Sequence, residues 1–165
     1  MNKRFALLLA TLATYVLIPA AFAAPDLTKL IQKSEVESAL GCSVDEPTVK
    51  ELPAPLGGSQ ITFTGKSLPI KTYALSLRTD ATVAAPLKAS GMTAAKMYQQ
   101  SKTMWTSTAA KLEPVIVKGG EGFSSGNTTA ILKNGMYLSA TTLFGGSKAA
   151  AAARTALTVK AADRL

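Results

Sequence analysis

Histidine is absent from the 165 residues, and cysteine occurs once, at Cys42. The first absence excludes Ser-His-Asp and Cys-His catalysis and any imidazole-ligated metal. The second excludes an internal disulfide framework and a zinc site made of several thiolates. Carboxylates are also scarce: after residue 60 only Asp80, Glu113, Glu121 and Asp163 remain. Ser and Lys never stand three apart, the spacing that puts hydroxyl and amine on one helix face. No acid/base constellation is visible, so neither a catalytic residue, a metal site nor a cofactor is expected.

What is present at the N-terminus reads as an export signal. Lys3 and Arg4 precede the uncharged apolar run from Phe5 to Ile18, Pro19 breaks it, and Ala21-Phe22-Ala23 offers a cleavage site. Residues 1–23 are therefore expected to be removed, leaving residues 24–165 as a single periplasmic or secreted domain. The alternative is a retained anchor, because no charge interrupts Phe5 to Pro25. Ala39-Leu40-Gly41-Cys42 imitates a lipid-attachment site, but five charged residues separate it from the apolar run. Cys42 is expected to be a small buried hydrophobe at a helix–strand junction, with an intermolecular disulfide left open by export.

Periodicity along the rest predicts an α+β domain with one antiparallel sheet of five to six strands. The sheet is packed by an N-terminal helix, a central helix and an Ala-rich C-terminal helix. Residues 26–40 read as helix, with Asp26 as cap, a Ser34/Glu37 capping box that restarts it before Val36 and Leu40, and Gly41 as stop. Residues 43–51 form a weak strand demoted by Pro47, and 60–64 with 72–78 form a hairpin. A loop is expected over 80–91. A helix over 92–112 follows, with Met97, Tyr98, Met104, Trp105 and Leu112 facing the core. After a strand at 114–117, residues 119–126 read as a glycine-rich turn region. Strands 128–133 and 136–142 then flank Asn134-Gly135, a pair suited to the positive backbone angles of a tight hairpin. Gly145-Gly146 ends the sheet, and Ser147 caps the last helix. Of 61 apolar residues after residue 23, 22 are alanine, so a core light in large side chains and of modest stability is expected.

Two nucleotide motifs fail on context. Gly65-Lys66-Ser67 ends like a phosphate loop, but Gln60 stands where the first glycine belongs and 61–64 alternates like a strand. Gly120-Glu121-Gly122 is followed by a hairpin rather than a helix N-terminus. Charge is more informative. Residues 24–60 carry a net −3 and residues 61–165 a net +9. An exported protein of this polarity suits anionic lipid, acidic polysaccharide or an acidic protein surface. Nucleic acid is not expected, because no basic stripe is interleaved with aromatics.

Three segments carry a family resemblance. These are Ser34-Glu35-Val36-Glu37-Ser38-Ala39-Leu40-Gly41, Gly119-Gly120-Glu121-Gly122-Phe123, and Asn134-Gly135 followed by Met136-Tyr137-Leu138. From Ser34 onward the chain resembles small exported bacterial domains similar to the PsbP/Mog1-like α/β/α sandwich group. That resemblance implies a topology and no catalytic residues. Many such domains carry a cysteine at the mature N-terminus, where this chain has Ala24.

The resulting expectation is a non-enzymatic exported binding protein that presents a basic surface to an anionic envelope component or a protein partner, with peripheral membrane contact allowed. The contacting region is expected at Gly119 to Gly126, including Glu121 and Phe123, together with Lys66, Lys71, Lys118 and Lys133. The alternatives are a cell-envelope hydrolase using Glu113, Glu121 or Asp80, a toxin-neutralising immunity-type protein, and a structural subunit joined through Cys42.

Overall fold

The computed structural model describes residues 25–108, 110–143 and 147–165. The expected export signal and the Gly145-Gly146 break lie outside them. Asp26 accepts a hydrogen bond from the Thr28 N–H at 3.0 Å and starts a single-turn helix, α1 (Leu27–Leu30). The chain breaks at Ile31 and resumes as α2 (Lys33–Leu40). The restart expected at Ser34 comes two residues earlier, with Gln32 as N-cap. The reciprocal cap is Gln32 with Glu35 rather than Ser34 with Glu37, because Glu37 accepts from the Val44 N–H instead. Gly41, at φ 64°, ends α2 as expected.

The remaining elements are β1 (Thr48–Glu51), β2 (Ser59–Thr64), β3 (Thr72–Arg78), α3 (Ala85–Ala89) and α4 (Ala94–Ser107). They are followed by β4 (Glu113–Val115), β5 (Gly120–Ser125), β6 (Thr128–Lys133), β7 (Met136–Thr142) and α5 (Lys148–Asp163). α3 occupies the expected loop, where Pro86 suits a first helical turn. The described strands form one antiparallel sheet in the order β1-β2-β3-β7-β6-β5-β4. That makes seven strands among the described residues, not five to six. The main correction is β5, read from its glycines as a turn. A Cβ on Gly120 would lie 2.6 Å from the Leu132 carbonyl oxygen, and one on Gly122 would lie 3.0 Å from that of Ala130. These glycines permit close backbone approach within the sheet.

Strand alternation sorts the core into two sides. Ile61, Phe63, Tyr73, Leu75, Leu77, Ile131, Leu138 and Ala140 point to one face, where α1, α2 and α5 pack. Phe123, Ala130 and Tyr137 point to the other, where α4 lays Ala94 and Tyr98 on them. The expected stripe on α4 holds in part: Tyr98 is buried and Met97 and Trp105 are half-buried, but Met104 is exposed. The two ends of the sheet also differ. One carries the Asn134-Gly135 turn, at φ 51° and 71°, where Lys133 pairs with Met136 and the C-terminus of α5 docks. The other carries the β2–β3 hairpin tip, residues 65–71, and the start of α5. Turn end and tip end are the frame for the site.

Candidate functional site

The structure separates the residues expected to act together. Lys66 and Lys71 lie at the tip end, whereas Lys118, Lys133 and Glu121 lie at the turn end, because Gly120 pairs with Lys133. The length of β7 puts about 20 Å between the two groups. Several of them are already engaged. The Lys133 ammonium donates to the Ala162 carbonyl at 2.8 Å and sits 3.8 Å from Asp163, closing the C-terminal end of α5. The Lys71 ammonium donates to the Leu40 carbonyl at the end of α2. Glu121 accepts from the Gln99 amide at 3.1 Å and lies 3.5 Å from Lys102, fastening α4 to β5. Phe123 is 2% exposed, with its ring centroid 5.6 Å from that of Tyr98. Of the six, Lys66 and Lys118 are the ones whose ammonium groups face solvent. Lys66 lies 3.9 Å from Asp45.

The carboxylates considered for hydrolysis are separated too. Glu113 pairs with Ser124 and shares its face of the sheet. Glu121 points to the opposite face, alongside Phe123. Asp80 accepts from the Ala94 N–H at 2.8 Å and holds the start of α4. A cavity of about 520 Å³ opens at the turn end, lined by Pro25, Thr79, Asp80, Ala81, Asn134, Gly135 and Met136. Cys42 is a free, half-buried thiol after α2, packed under Gly65. No helix of the described residues is long and apolar enough to cross a membrane.

The tip end has a different composition. Three aliphatic side chains stand in solvent there: Leu68 at 85% exposure, Ile70 at 57% and Leu143 at 71%. The Leu143 N–H donates to the Thr72 carbonyl at 3.1 Å, which places Leu143 two residues from Ile70 across the β3–β7 pairing. The tip is fixed at its base. The Gly65 N–H donates to the Lys71 carbonyl at 2.7 Å, the Lys66 N–H to the Ser43 carbonyl at 3.0 Å, and Val44 bridges Gly65. Lys66 and Lys71 flank the Ser67-Leu68-Pro69-Ile70 segment, and Lys148 opens α5 at the same end of the sheet. Asp45, paired with Lys66, and Glu113, without an ion pair among the described residues, are the acids nearest this end. The sequence singles out Lys66 and Lys71; the signal missed is the uncharged Leu-Pro-Ile between them.

The interior also contains a polar cluster. Arg154, on α5, is 2% exposed and has no carboxylate partner among the described residues. Its guanidinium donates to Thr129 Oγ1 at 2.9 Å, Ser124 Oγ at 2.9 Å and Thr142 Oγ1 at 3.3 Å. Burial lowers its proton affinity, and the neighbouring Tyr73 partly offsets this. The group is sealed under α5 and fixes that helix to β5, β6 and β7. Compared with known proteins, the chain matches no family model, no curated protein and no solved structure.

Proposed function

We propose that the protein is a non-enzymatic, exported binding protein whose uncompensated positive surface meets an anionic component of the cell envelope. One observation carries this reading. Of the thirteen lysines among the described residues, five make ion pairs, with Glu46, Asp45, Glu121, Asp163 and Glu35. The other eight have no carboxylate partner, Lys29, Lys118 and Lys148 among them. The acids, by contrast, are largely used internally. Asp26 and Asp80 hold helix starts, Glu37 holds the Val44 N–H, and five more are in those pairs. The field left over for a partner is therefore positive.

The test is binding to anionic and neutral surfaces across an ionic-strength series. Affinity for the anionic surface is expected to fall steadily as salt rises, because exposed charges are screened beyond about 8–10 Å. Binding indifferent to salt, or equal on the neutral surface, overturns the reading.

A further inference from the structure

We infer that the tip end is a membrane-insertion site: Leu68, Ile70 and Leu143 enter the interfacial layer of an anionic bilayer while Lys66 and Lys148 contact the lipid phosphates. This rests on the anionic-partner reading above and names the partner as a lipid surface.

Three observations select a bilayer over a protein. The first is shape and size. The aliphatic groups sit on a projecting hairpin and its neighbouring strand end, not in a groove. Three such side chains fall well short of the roughly 800 Å² that each partner buries in a specific protein interface. Shallow insertion needs no such area, since every aliphatic group that enters is removed from water on all sides. The second is charge. No carboxylate lies between Lys66 and Lys71, so the segment that would enter first carries nothing that an anionic surface repels. Asp45, 3.9 Å from Lys66, and Glu113 stand behind it on the β1 and β4 sides of the sheet. The third is preorganisation. The base of the hairpin is closed by Gly65–Lys71 pairing, by the Val44 bridge and by the Lys71 ammonium on the Leu40 carbonyl. Presenting the leucine and isoleucine therefore costs little additional ordering.

The opposite end supplies a control. Ile116 is the most exposed aliphatic residue of the described chain, at 93%, and follows β4 toward the turn end. Removing it deletes about as much exposed apolar surface as removing Leu68 alone, without touching the tip.

The experiment is co-sedimentation of the protein, in the form its cell accumulates, with phosphatidylcholine vesicles and with the same vesicles doped with phosphatidylglycerol. An arm with heparin beads offers a soluble polyanion instead of a lipid. Wild type is expected to partition onto the doped vesicles. Leu68→Ser with Ile70→Ser is expected to lower that partition by about tenfold or more, while Ile116→Ser leaves it unchanged. Both sites are exposed, so folding is retained, which circular dichroism verifies. In Leu68→Trp, brominated acyl chains are expected to quench the added emission over the Trp105 background. Salt-sensitive binding to doped vesicles that ignores the Leu68/Ile70 change overturns insertion and leaves the anionic-partner reading standing. Loss of binding to every anionic surface in the wild type overturns both. Equal losses for Ile116→Ser and the tip variant overturn insertion at this end.

Discussion

Two helices cross the same sheet from opposite sides, and the sheet holds them by different means. Beneath α5, with α1 and α2 beside it, nineteen buried apolar residues of the described chain form one core. Arg154 is buried among them with three hydroxyl acceptors. Beneath α4 the core is five buried residues, and buried polar atoms go without partners. Arg78 Nε, Tyr98 Oη and Ser125 Oγ make no hydrogen bond among the described residues. Each face thus buries an arginine and a tyrosine, but only the α5 face supplies acceptors for them. Fully satisfied polar groups specify one packing, whereas orphaned ones each subtract from it. The α5 face is the foundation of the domain, and α4 is the more loosely held layer.

The sharpest way to break this comparison is to change the two buried arginines identically. Arg154→Met removes three hydrogen bonds and leaves Ser124, Thr129 and Thr142 to pair among themselves, with an expected loss of about 2–4 kcal/mol. Arg78→Met keeps the volume, deletes a buried N–H that has no acceptor, and gives up a cation–π contact of 5.5 Å with Tyr137. Its expected cost is within about 1 kcal/mol. Urea midpoints at unchanged m-value measure both. Similar losses for the two variants end the asymmetry.

The next effect belongs to Glu35, which ties α2 to the far end of α5. Its carboxylate accepts from Arg164 at 2.6 and 2.8 Å and lies 3.5 Å from Lys160. The Arg164 guanidinium, chiefly, holds its pKa down at about 2 instead of the ordinary 4.5. A carboxyl whose folded pKa is depressed stabilises the fold fully above its unfolded pKa, and the contribution disappears as pH falls through the folded one. The window therefore runs from about 4.5 down to about 2. Arg164 is about a third exposed, so solvent screening reduces the contribution to about 1–2 kcal/mol. Glu35→Gln is expected to flatten that part of the stability–pH curve. Unfolding followed between pH 5 and pH 2 shows it, and an unchanged slope refutes the tie.

Much of this layout was legible in residue order. Asn134-Gly135 suits positive φ at both positions, so the β6–β7 hairpin followed directly. Ser147 accepts from the Ala150 N–H and starts α5 where expected. Strand alternation placed Tyr73, Leu75 and Leu77 on one side. The β5 strand was misread because glycine marks both turns and close approaches, and only the neighbouring Leu132 and Ala130 carbonyls distinguish them. Arg154, set in an alanine run, is not singled out by the sequence reading. Its spacing from Ala150, Leu157 and Ala161 nevertheless sets it on the buried stripe of α5. For the candidate site, the lysines were visible but their engagement was not. Lys71 and Lys133 are used on carbonyls 31 and 29 residues away, a pairing that no local pattern encodes.

The smallest effect isolates a single oxygen on each face. Tyr73 is fully buried under α5 and its hydroxyl lies 3.4 Å from Thr158 Oγ1. Tyr98 is equally buried under α4 and its hydroxyl has no hydrogen-bond partner among the described residues. Burial is the first cause that raises the proton affinity of both phenols. At Tyr98 the nearby Glu121 carboxylate, outside hydrogen-bonding geometry, adds to it. Both therefore stay neutral under ordinary conditions, and removing either oxygen removes no charge. Tyr73→Phe forfeits a long, weak hydrogen bond and is expected to cost about 0.5–1 kcal/mol. Tyr98→Phe deletes an unpartnered dipole and is expected to be neutral or slightly stabilising. Thermal midpoints of the two variants should therefore fall on opposite sides of the wild type or differ by a few degrees. If Tyr98→Phe proves the costlier change, its hydroxyl has a partner in solution, and the α4 face is better satisfied than its geometry indicates.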